Sequence, residues 1–143
     1  MRLVIDANVI VSALAKDGAV RAAMRTSIDD VLTPWYVHAE IDAHRVEIRT
    51  KSGLSQQAFD ALIEELFRHV AVVPRGKVIP HLHEAAREMH AYDPDDTFYT
   101  AAALAVNGTI ISNDQAFEKQ SAVPHIWTSE FVEQALGLAD NDR

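Results

Sequence analysis

The sequence predicts an α/β domain in which a central parallel sheet of about five strands is flanked by helices. Short, β-branched apolar runs alternate along the chain with longer stretches whose apolar residues recur at the three- and four-residue spacing of a helix. The runs are short and apolar enough to be strands buried on both faces, which is typical of a parallel sheet covered by helices on both sides.

Five apolar runs have the character of strands. They are residues 2–5, 31–33, 70–73, 109–112 and 125–127. Pro34 and Pro74 directly follow the second and third runs. Because proline has no backbone N–H to donate to a strand ladder, we expect these two strands to end there.

The stretches between the strands predict helices. They are residues 9–15, 19–26, 36–51, 55–67, 80–91, 95–107, 115–119 and 129–136. Ser52 and Gly53 interrupt the apolar periodicity and divide what would otherwise be one helix over residues 36–67. Gly108 after Asn107 is expected to end the helix before the fourth strand, because glycine accepts the left-handed conformation that ends many helices.

The composition predicts one domain. A chain of 143 residues, 48% hydrophobic and 24% charged, has the size of a single core. We assign residues 1–136 to this domain and residues 137–143 to a flexible C-terminal tail. The sequence has neither an apolar run of membrane-spanning length nor a secretory signal pattern, so we expect a cytoplasmic protein without a membrane partner.

Cysteine content and charge exclude several function classes. The chain has no cysteine, which excludes a disulfide scaffold, a thiolate zinc site and a cysteine nucleophile. Its 13 Lys and Arg residues against 21 Asp and Glu residues give a formal net charge of -8. A protein that binds polyanions through overall positive charge is therefore excluded, and any contact with nucleic acid is expected to be local.

Acidic residues follow two of the predicted strands. Asp6 comes directly after the first strand, and Asp114 follows the fourth after Asn113. Ligands bind beyond the carboxyl ends of parallel strands, so we expect both carboxylates at that edge of the sheet. Asp96 lies in the first turn of the helix before the fourth strand, and we expect it to reach the edge only if residues 93–95 fold over it.

Helix capping is an alternative role for these aspartates. Asp6 precedes a predicted helix, as N-cap aspartates do, and either Asn113 or Asp114 could cap the predicted helix that begins at Gln115. In residues 93–96, Asp93 has the place of an N-cap, Pro94 that of the first helical residue, and two acids follow in the first turn.

Capping does not explain Glu40. At spacings of three and four, Glu40 shares one helix face with Val37, Ile41 and His44, which places a carboxylate on an apolar side. An acid directed toward the core requires a partner. The structural alternative for Glu40 is a salt bridge to one of three arginines, namely Arg2, Arg21 or Arg25.

Four short motifs that contain these acids resemble, in order, the motifs of the PIN-domain ribonucleases, a family that includes VapC-like toxins and stand-alone members. The first is a hydrophobic strand that ends in Asp6-Ala7-Asn8. The other three lie in residues 36–41 with Glu40, residues 95–104 with Asp96, and residues 111–117 with Asp114. The resemblance extends from Met1 to about Leu136.

The resemblance implies a metal-dependent endoribonuclease. Its catalytic and metal-binding residues would be Asp6, Glu40, Asp96 and Asp114, gathered in one pocket with Mg²⁺ or Mn²⁺. It implies supporting roles for Asn8 and Ser112, and Asp95 competes with Asp96 for the third acidic position. Many members are toxins of toxin–antitoxin pairs, so the partners to consider are single-stranded or structured RNA, an antitoxin protein and further copies of this chain.

The predicted acids require a cation for a physical reason. At about 4 Å and an effective dielectric constant near 20, two carboxylates repel by roughly 4 kcal/mol. Such a cluster must take up protons or bind a divalent ion. A site made of carboxylates suits Mg²⁺ or Mn²⁺ better than zinc. The sequence leaves open whether one or two ions bind.

RNA would need local contacts on a chain of net negative charge. The candidates are two arginines one helical turn apart with a nearby lysine, and two aromatic residues after a strand: Arg45, Arg49, Lys51, Trp35 and Tyr36. Arg21 and Arg25 have the same spacing as the first arginine pair. A solvated helix face for the arginines, and packing against the sheet for the aromatic residues, are the structural alternatives.

Two other functions are compatible with the pattern. A receiver-like signalling domain would carry a phosphoacceptor aspartate at a strand end, but it also needs paired acids after the first strand and a lysine after the last. Here Asp6 stands alone, and Thr128 follows Trp127. The second alternative is a non-catalytic PIN-like module that binds RNA or protein.

Overall fold

The computed structural model describes residues 1–16, 18–89 and 95–137. Its strands form one parallel sheet in the order β3-β2-β1-β4-β5. The strands are β1 (Arg2–Ile5), β2 (Asp30–Pro34), β3 (Ala71–Val73), β4 (Thr109–Ile111) and β5 (His125–Ile126). This confirms the predicted fold class, and each predicted strand is present with ends that differ by at most one residue.

Helices connect the strands and cover the sheet. In the described ranges they are α1 (Ala7–Ala15), α2 (Gly18–Thr26), α3 (Val37–Ala43), α4 (Arg45–Ser52), α5 (Gln56–Leu66), α6 (Arg75–Val78), α7 (Leu82–Met89), α8 (Asp96–Val106), α9 (Gln115–Lys119) and α10 (Thr128–Leu136). A 3₁₀ turn, Ile79–His81, joins α6 to α7. None of the described helices combines the length and apolar character needed to cross a membrane.

Two core layers lie on opposite faces of the sheet. On β1, Leu3 and Ile5 pack into the layer that contains α1, α2, α5 and α10. Val4 points to the other face and packs against α6, α7 and α8. Successive side chains of a strand alternate between faces, so a strand apolar at every position is buried on both sides.

Three local predictions were wrong. Residues 36–51 do not form one helix, because His44 leaves the helical conformation (φ −115°, ψ 16°) and separates α3 from α4. Pro34 does not follow β2 but ends it, opposite Val73, and the N–H of Trp35 supplies the next hydrogen bond to the Val73 carbonyl (3.0 Å). The left-handed residue that ends α8 is Asn107 (φ 54°) rather than Gly108.

Other predictions fall partly outside the described residues. The predicted helix 80–91 is represented by the 3₁₀ turn and α7, and its residues 90 and 91 lie outside the described ranges. The predicted N-cap Asp93 and the proline Pro94 lie outside them as well. Residues 138–143 of the predicted tail are also outside, and α10 ends at Gly137, which has φ 70°.

Gly108 is required for close packing rather than for backbone conformation. A Cβ atom at this position would lie 2.8 Å from the backbone oxygen of Arg2 and 3.1 Å from Cγ2 of Val106. We therefore expect Gly108→Ala to lower the free energy of unfolding by about 1–3 kcal/mol. Gly76→Ala is the control, because nothing lies within 4 Å of a Cβ there. Urea unfolding measures both variants, and equal stability of the two would contradict this account.

The direction of α8 decides what lies at the carboxyl edge of the sheet. The Arg2 guanidinium at the start of β1 donates to the carbonyl of Val106 at the end of α8 (3.0 Å). The other end of α8, with Asp96, therefore lies toward the carboxyl end of β1. Asp96 lies toward this edge because a crossover helix runs antiparallel to the strands that it connects. The expectation that residues 93–95 fold over concerns a segment whose residues 93 and 94 lie outside the described ranges.

Candidate active site

Asp6 is the most deeply buried of the four predicted acids. It follows β1 directly, its side chain is 2% exposed, and its backbone N–H donates to the Ile111 carbonyl (3.1 Å). The Ser112 hydroxyl donates to Oδ2 of Asp6 (2.8 Å). Asp6 has the N-cap position of α1, but its side chain makes no capping hydrogen bond. The hydrogen bond from Ser112 thus ties Asp6 to the end of β4, in addition to its place before α1.

The environment of Asp6 disfavours its charge. Burial, with a smaller contribution from the negative charge of Asp114, raises the pKa of Asp6 from 3.8 to about 6. The hydrogen bond from Ser112 and the nearby amides of Ala7 and Asn8 act in the opposite direction. A nearby cation would stabilise the ionised form of such a group.

Ser112 joins Asp6 to Asp114. Its side-chain oxygen donates to Asp6 and accepts a hydrogen bond from the backbone N–H of Asp114 (2.9 Å). Oδ1 of Asp114 accepts from the N–H of Ala116 (2.9 Å), which confirms its role as N-cap of α9. Capping and membership of an acidic site are compatible here, because the cap fixes the carboxylate beside the end of β4.

Glu40 contacts α8 through a tyrosine. The hydroxyl of Tyr99 donates to Oε1 of the half-buried Glu40. The arginines considered as salt-bridge partners make other contacts: Arg2 donates to Val106, Arg21 donates to the Ala13 carbonyl, and Arg25 pairs with Glu65 at 3.6 Å. Glu40 is therefore held toward the carboxyl edge of the sheet rather than along an exposed helix face.

Tyr99 also connects Glu40 to the surroundings of Asp6. The ring is 1% exposed. Burial, the hydrogen bond to Glu40 and the charges of Glu40 and Asp6 raise the pKa of Tyr99 well above its usual range. The hydroxyl consequently keeps its proton at ordinary pH, and it lies within the electrostatic influence of two of the predicted acids.

The start of α8 brings two more acids to this edge. Asp96, its first residue, is buried at 8% exposure. Asp95 is exposed, and its Oδ1 accepts a hydrogen bond from the Tyr36 hydroxyl (3.2 Å). This bond connects the end of β2 to the start of α8. Asp95 and Asp96 thus lie in different environments, and the buried position belongs to Asp96.

The aromatic residues predicted to contact RNA pack together beside the acids. The rings of Tyr36 and Phe98 stack at 4.2 Å, and Trp35 meets Phe98 edge-on at 5.5 Å. Trp35 and Tyr36 are each half-buried. Phe98, which precedes Tyr99 in the third motif, was not among the predicted RNA-contacting residues.

The basic residues of α4 are engaged with acids of the same chain. Arg45 pairs with Asp60 and, at 3.7 Å, with Asp42. Lys51 pairs with Glu47 at 3.4 Å. Arg49 is half-buried on the same helix, one turn after Arg45.

The geometry thus connects the predicted acids in two groups. Asp6, Ser112 and Asp114 form one, and Glu40 with Tyr99 forms the other. In residues 1–16, 18–89 and 95–137, no three His, Cys, Asp or Glu side chains form a group that could hold a metal ion as they stand. Mutual repulsion of carboxylates favours such a separation.

The chemistry of the donors nevertheless fits a hard divalent cation. The predicted ligands are all carboxylates, which Mg²⁺ and Mn²⁺ prefer. The decisive observation is the buried Asp6 carboxyl, whose pKa is raised to about 6 by burial and by a neighbouring acid. An ion beside it would offset both effects.

Tyr99 is the residue that sequence reasoning missed. It lies three positions after Asp96, on the same face of α8, within a run that is otherwise rich in alanine. A large aromatic side chain with a polar tip, one turn after a predicted site acid, is the signal that could have identified it.

Comparisons with known proteins agree with this fold. A family model described as a PIN domain matches residues 4–137. The structure of VapBC2 from Rickettsia felis, bound to a DNA fragment from their promoter, has a TM-score of 0.71 and 14% identity, over 89% of this chain and 98% of that chain. The structure of VapBC-1 from nontypeable Haemophilus influenzae has a TM-score of 0.68 and 18% identity, over 90% of this chain and 99% of that chain. No curated protein matches the sequence.

Proposed function

Since this chain belongs to the PIN-domain family, we propose that it is a metal-dependent endoribonuclease that hydrolyses RNA phosphodiester bonds. The observation that carries the proposal is the buried carboxyl of Asp6 at the carboxyl end of β1, hydrogen-bonded to Ser112 and raised in pKa by burial and by Asp114. A buried carboxyl with a perturbed pKa beside a second acid is typical of a functional site.

The four acids have distinct places in the proposed site. Asp6 has the central position, between Asp114 on the β4 side and Glu40 and Asp96 on the helix side. Ser112 orients Asp6 through its hydroxyl. Asn8, the second residue of α1, is exposed and supports a carboxylate or a water molecule from there. Asp95, held by Tyr36, supports the start of α8.

Asp6, Glu40, Asp96 and Asp114 would hold Mg²⁺ or Mn²⁺. When bound, such an ion supplies Lewis-acid activation of water and stabilisation of the leaving oxygen. The chain itself supplies a partly water-excluded edge and carboxylates at fixed positions, so no side chain has to be the nucleophile. Hydrolysis of this type leaves a 5′ phosphate and a 3′ hydroxyl.

RNA is proposed to lie along the carboxyl edge of the sheet. Trp35 and Tyr36, half-buried beside the acids, offer aromatic rings on which an unpaired base can stack. Arg45, Arg49 and Lys51 contribute phosphate contacts from α4. The present partners of Arg45 and Lys51 do not prevent this, because exposed ion pairs contribute only about 0–1 kcal/mol and can be exchanged for phosphate.

We also propose that this chain binds a protein partner. Two similar structures are VapBC assemblies, one of them bound to promoter DNA. This supports a toxin role for the chain, with an antitoxin as its partner and self-association as a further form of assembly. The proposed place of action is the cytoplasm, where RNA is available.

Cleavage assays test the proposed activity. Purified protein is incubated with a 5′-labelled single-stranded RNA in Mn²⁺, in Mg²⁺ or in excess chelator. We expect cleavage with either ion, none with chelator, and products that carry a 3′ hydroxyl. A 2′,3′-cyclic phosphate, or cleavage that persists in chelator, would contradict the mechanism.

The same assay tests the alternative of a non-catalytic module. A non-catalytic PIN-like module would bind the labelled RNA without cutting it in any of the three conditions. The receiver-like alternative is excluded by the family match and by the strand order, because doubly wound sheets of the receiver type have the order 2-1-3-4-5 rather than 3-2-1-4-5.

A further inference from the structure

The geometry points to Tyr99 as the residue that positions Glu40 in the acidic site. The inference rests on the proposed function, since it concerns the use of Glu40 as a metal ligand. Its basis is the hydrogen bond from the Tyr99 hydroxyl to Oε1 of Glu40, which joins residues 59 positions apart in the sequence.

This bond connects the two core layers. Glu40 lies on α3, whose Val37 and Ile41 are buried in the layer with α1 and α5. Tyr99 lies on α8, in the layer on the other face of the sheet. The position of Glu40 is therefore determined by a contact across the carboxyl edge, and not by α3 alone.

Glu40 needs such a contact because of its flexibility. Its side chain has several rotatable bonds, is half-buried, and loses conformational entropy when it is fixed in one place. The hydrogen bond from Tyr99 restricts this freedom from the side of α8.

Tyr99 is well suited to hold a carboxylate. Its ring is fully buried, so packing fixes the position of the hydroxyl. The hydroxyl donates to Oε1 of Glu40 from this position. Groups that orient metal ligands through hydrogen bonds typically change metal affinity or activity by 10- to 100-fold when they are removed.

A structural role is the alternative to be separated from positioning. A buried tyrosine hydroxyl needs a hydrogen-bond partner in any case, and Glu40 would satisfy that need without any consequence for an ion. The two roles differ in one measurable respect. Loss of a structural contact changes only the stability of the fold, whereas loss of a positioning contact also lowers the affinity of the protein for the cation.

The test measures Mn²⁺ binding to the full chain by isothermal titration calorimetry, without RNA. Tyr99→Phe removes only the hydroxyl and is expected to weaken Mn²⁺ binding by about tenfold or more. Thr100→Val is the matched control. It removes a buried hydroxyl from the next position of α8, and that hydroxyl has no hydrogen-bond partner among the described residues. We expect its Mn²⁺ affinity to stay within about twofold of the parent.

A double-mutant cycle identifies Glu40 as the target. If Tyr99 acts through Glu40, then adding Tyr99→Phe to Glu40→Gln changes Mn²⁺ affinity by less than about twofold. Full additivity of the two losses would overturn the inference. So would unchanged Mn²⁺ affinity in Tyr99→Phe together with a lower melting temperature, which would assign the tyrosine a structural role only.

Failure of the proposed function has a different signature. If the parent protein binds no Mn²⁺, the metal-dependent mechanism is overturned, and the role of Tyr99 with it. If the parent binds Mn²⁺ and Tyr99→Phe binds it equally well, only the role of Tyr99 is overturned. Far-UV circular dichroism of each variant confirms that the compared proteins are folded.

Discussion

Asp6→Asn is expected to remove divalent-dependent RNA cleavage, with a loss in rate of about 10³-fold or more. The substitution keeps the shape of a side chain that is buried at the end of β1 and that accepts a hydrogen bond from Ser112. It removes the charge that would hold an ion. A loss of about 4 kcal/mol of transition-state stabilisation corresponds to this factor.

The control for this variant is Asp42→Asn. Asp42 is an exposed acid on α3, two residues after Glu40, and it pairs only loosely with Arg45 at 3.7 Å. Its removal is expected to change the cleavage rate by less than about twofold. Single-turnover rates in saturating Mn²⁺ measure both variants. A cleavage rate of Asp6→Asn within tenfold of the parent would remove Asp6 from the centre of the proposed site.

The contribution of Asp6 to the stability of the ion-free protein is expected to fall as pH rises from about 4 to about 7. Burial, with a contribution from Asp114, raises the pKa of Asp6 from 3.8 to about 6 in the folded state. Between these two values the folded protein binds a proton that the unfolded chain has lost. The raised pKa therefore leaves stability intact below the unfolded value and lowers it progressively between the two values, so the full cost is present above the folded value.

The size of this effect follows from the shift. About two pKa units correspond to roughly 3 kcal/mol of unfolding free energy. Asp6→Asn should avoid this cost, so the variant is expected to be more stable than the parent by that amount at pH 7 and of similar stability near pH 4. The same substitution would thus remove activity and increase the stability of the ion-free protein.

Urea unfolding in chelator, at intervals of one pH unit from 4 to 7, measures the difference between parent and variant. The difference isolates Asp6 from the other groups that titrate in this range. Glu84→Gln, at an exposed position on α7, should differ from the parent by no more than a few tenths of a kcal/mol at every pH. A destabilised Asp6→Asn protein at pH 7 would instead indicate that the carboxylate has a structural role.

The acidic residues at strand ends could be predicted because local sequence patterns determine them. The apolar run of β1 ends at Asp6 and that of β4 ends shortly before Asp114, and parallel strands bring their carboxyl ends to one edge. Capping of α9 by Asp114 was equally visible, because a cap and its helix are neighbours in sequence.

Asp96 and Arg45 show what local patterns could not indicate. The antiparallel course of α8 places Asp96 toward the carboxyl edge of the sheet, and no local spacing indicates that course. The sequence also could not indicate that Arg45 pairs with Asp60 on the next helix. Both depend on how whole helices are oriented when they cover the sheet.

The sequence by itself determined the fold class, the order of the strands along the chain, and the identity of the acids that can meet at one edge of the sheet. Periodicity and end signals act over a few residues, so they can be read locally. Only the tertiary structure decided that Ser112 joins Asp6 to Asp114 and that Tyr99 holds Glu40 from the opposite core layer. These contacts join side chains 59 and 106 residues apart, and no pattern of local spacing determines which distant side chains meet when two layers pack on the same sheet.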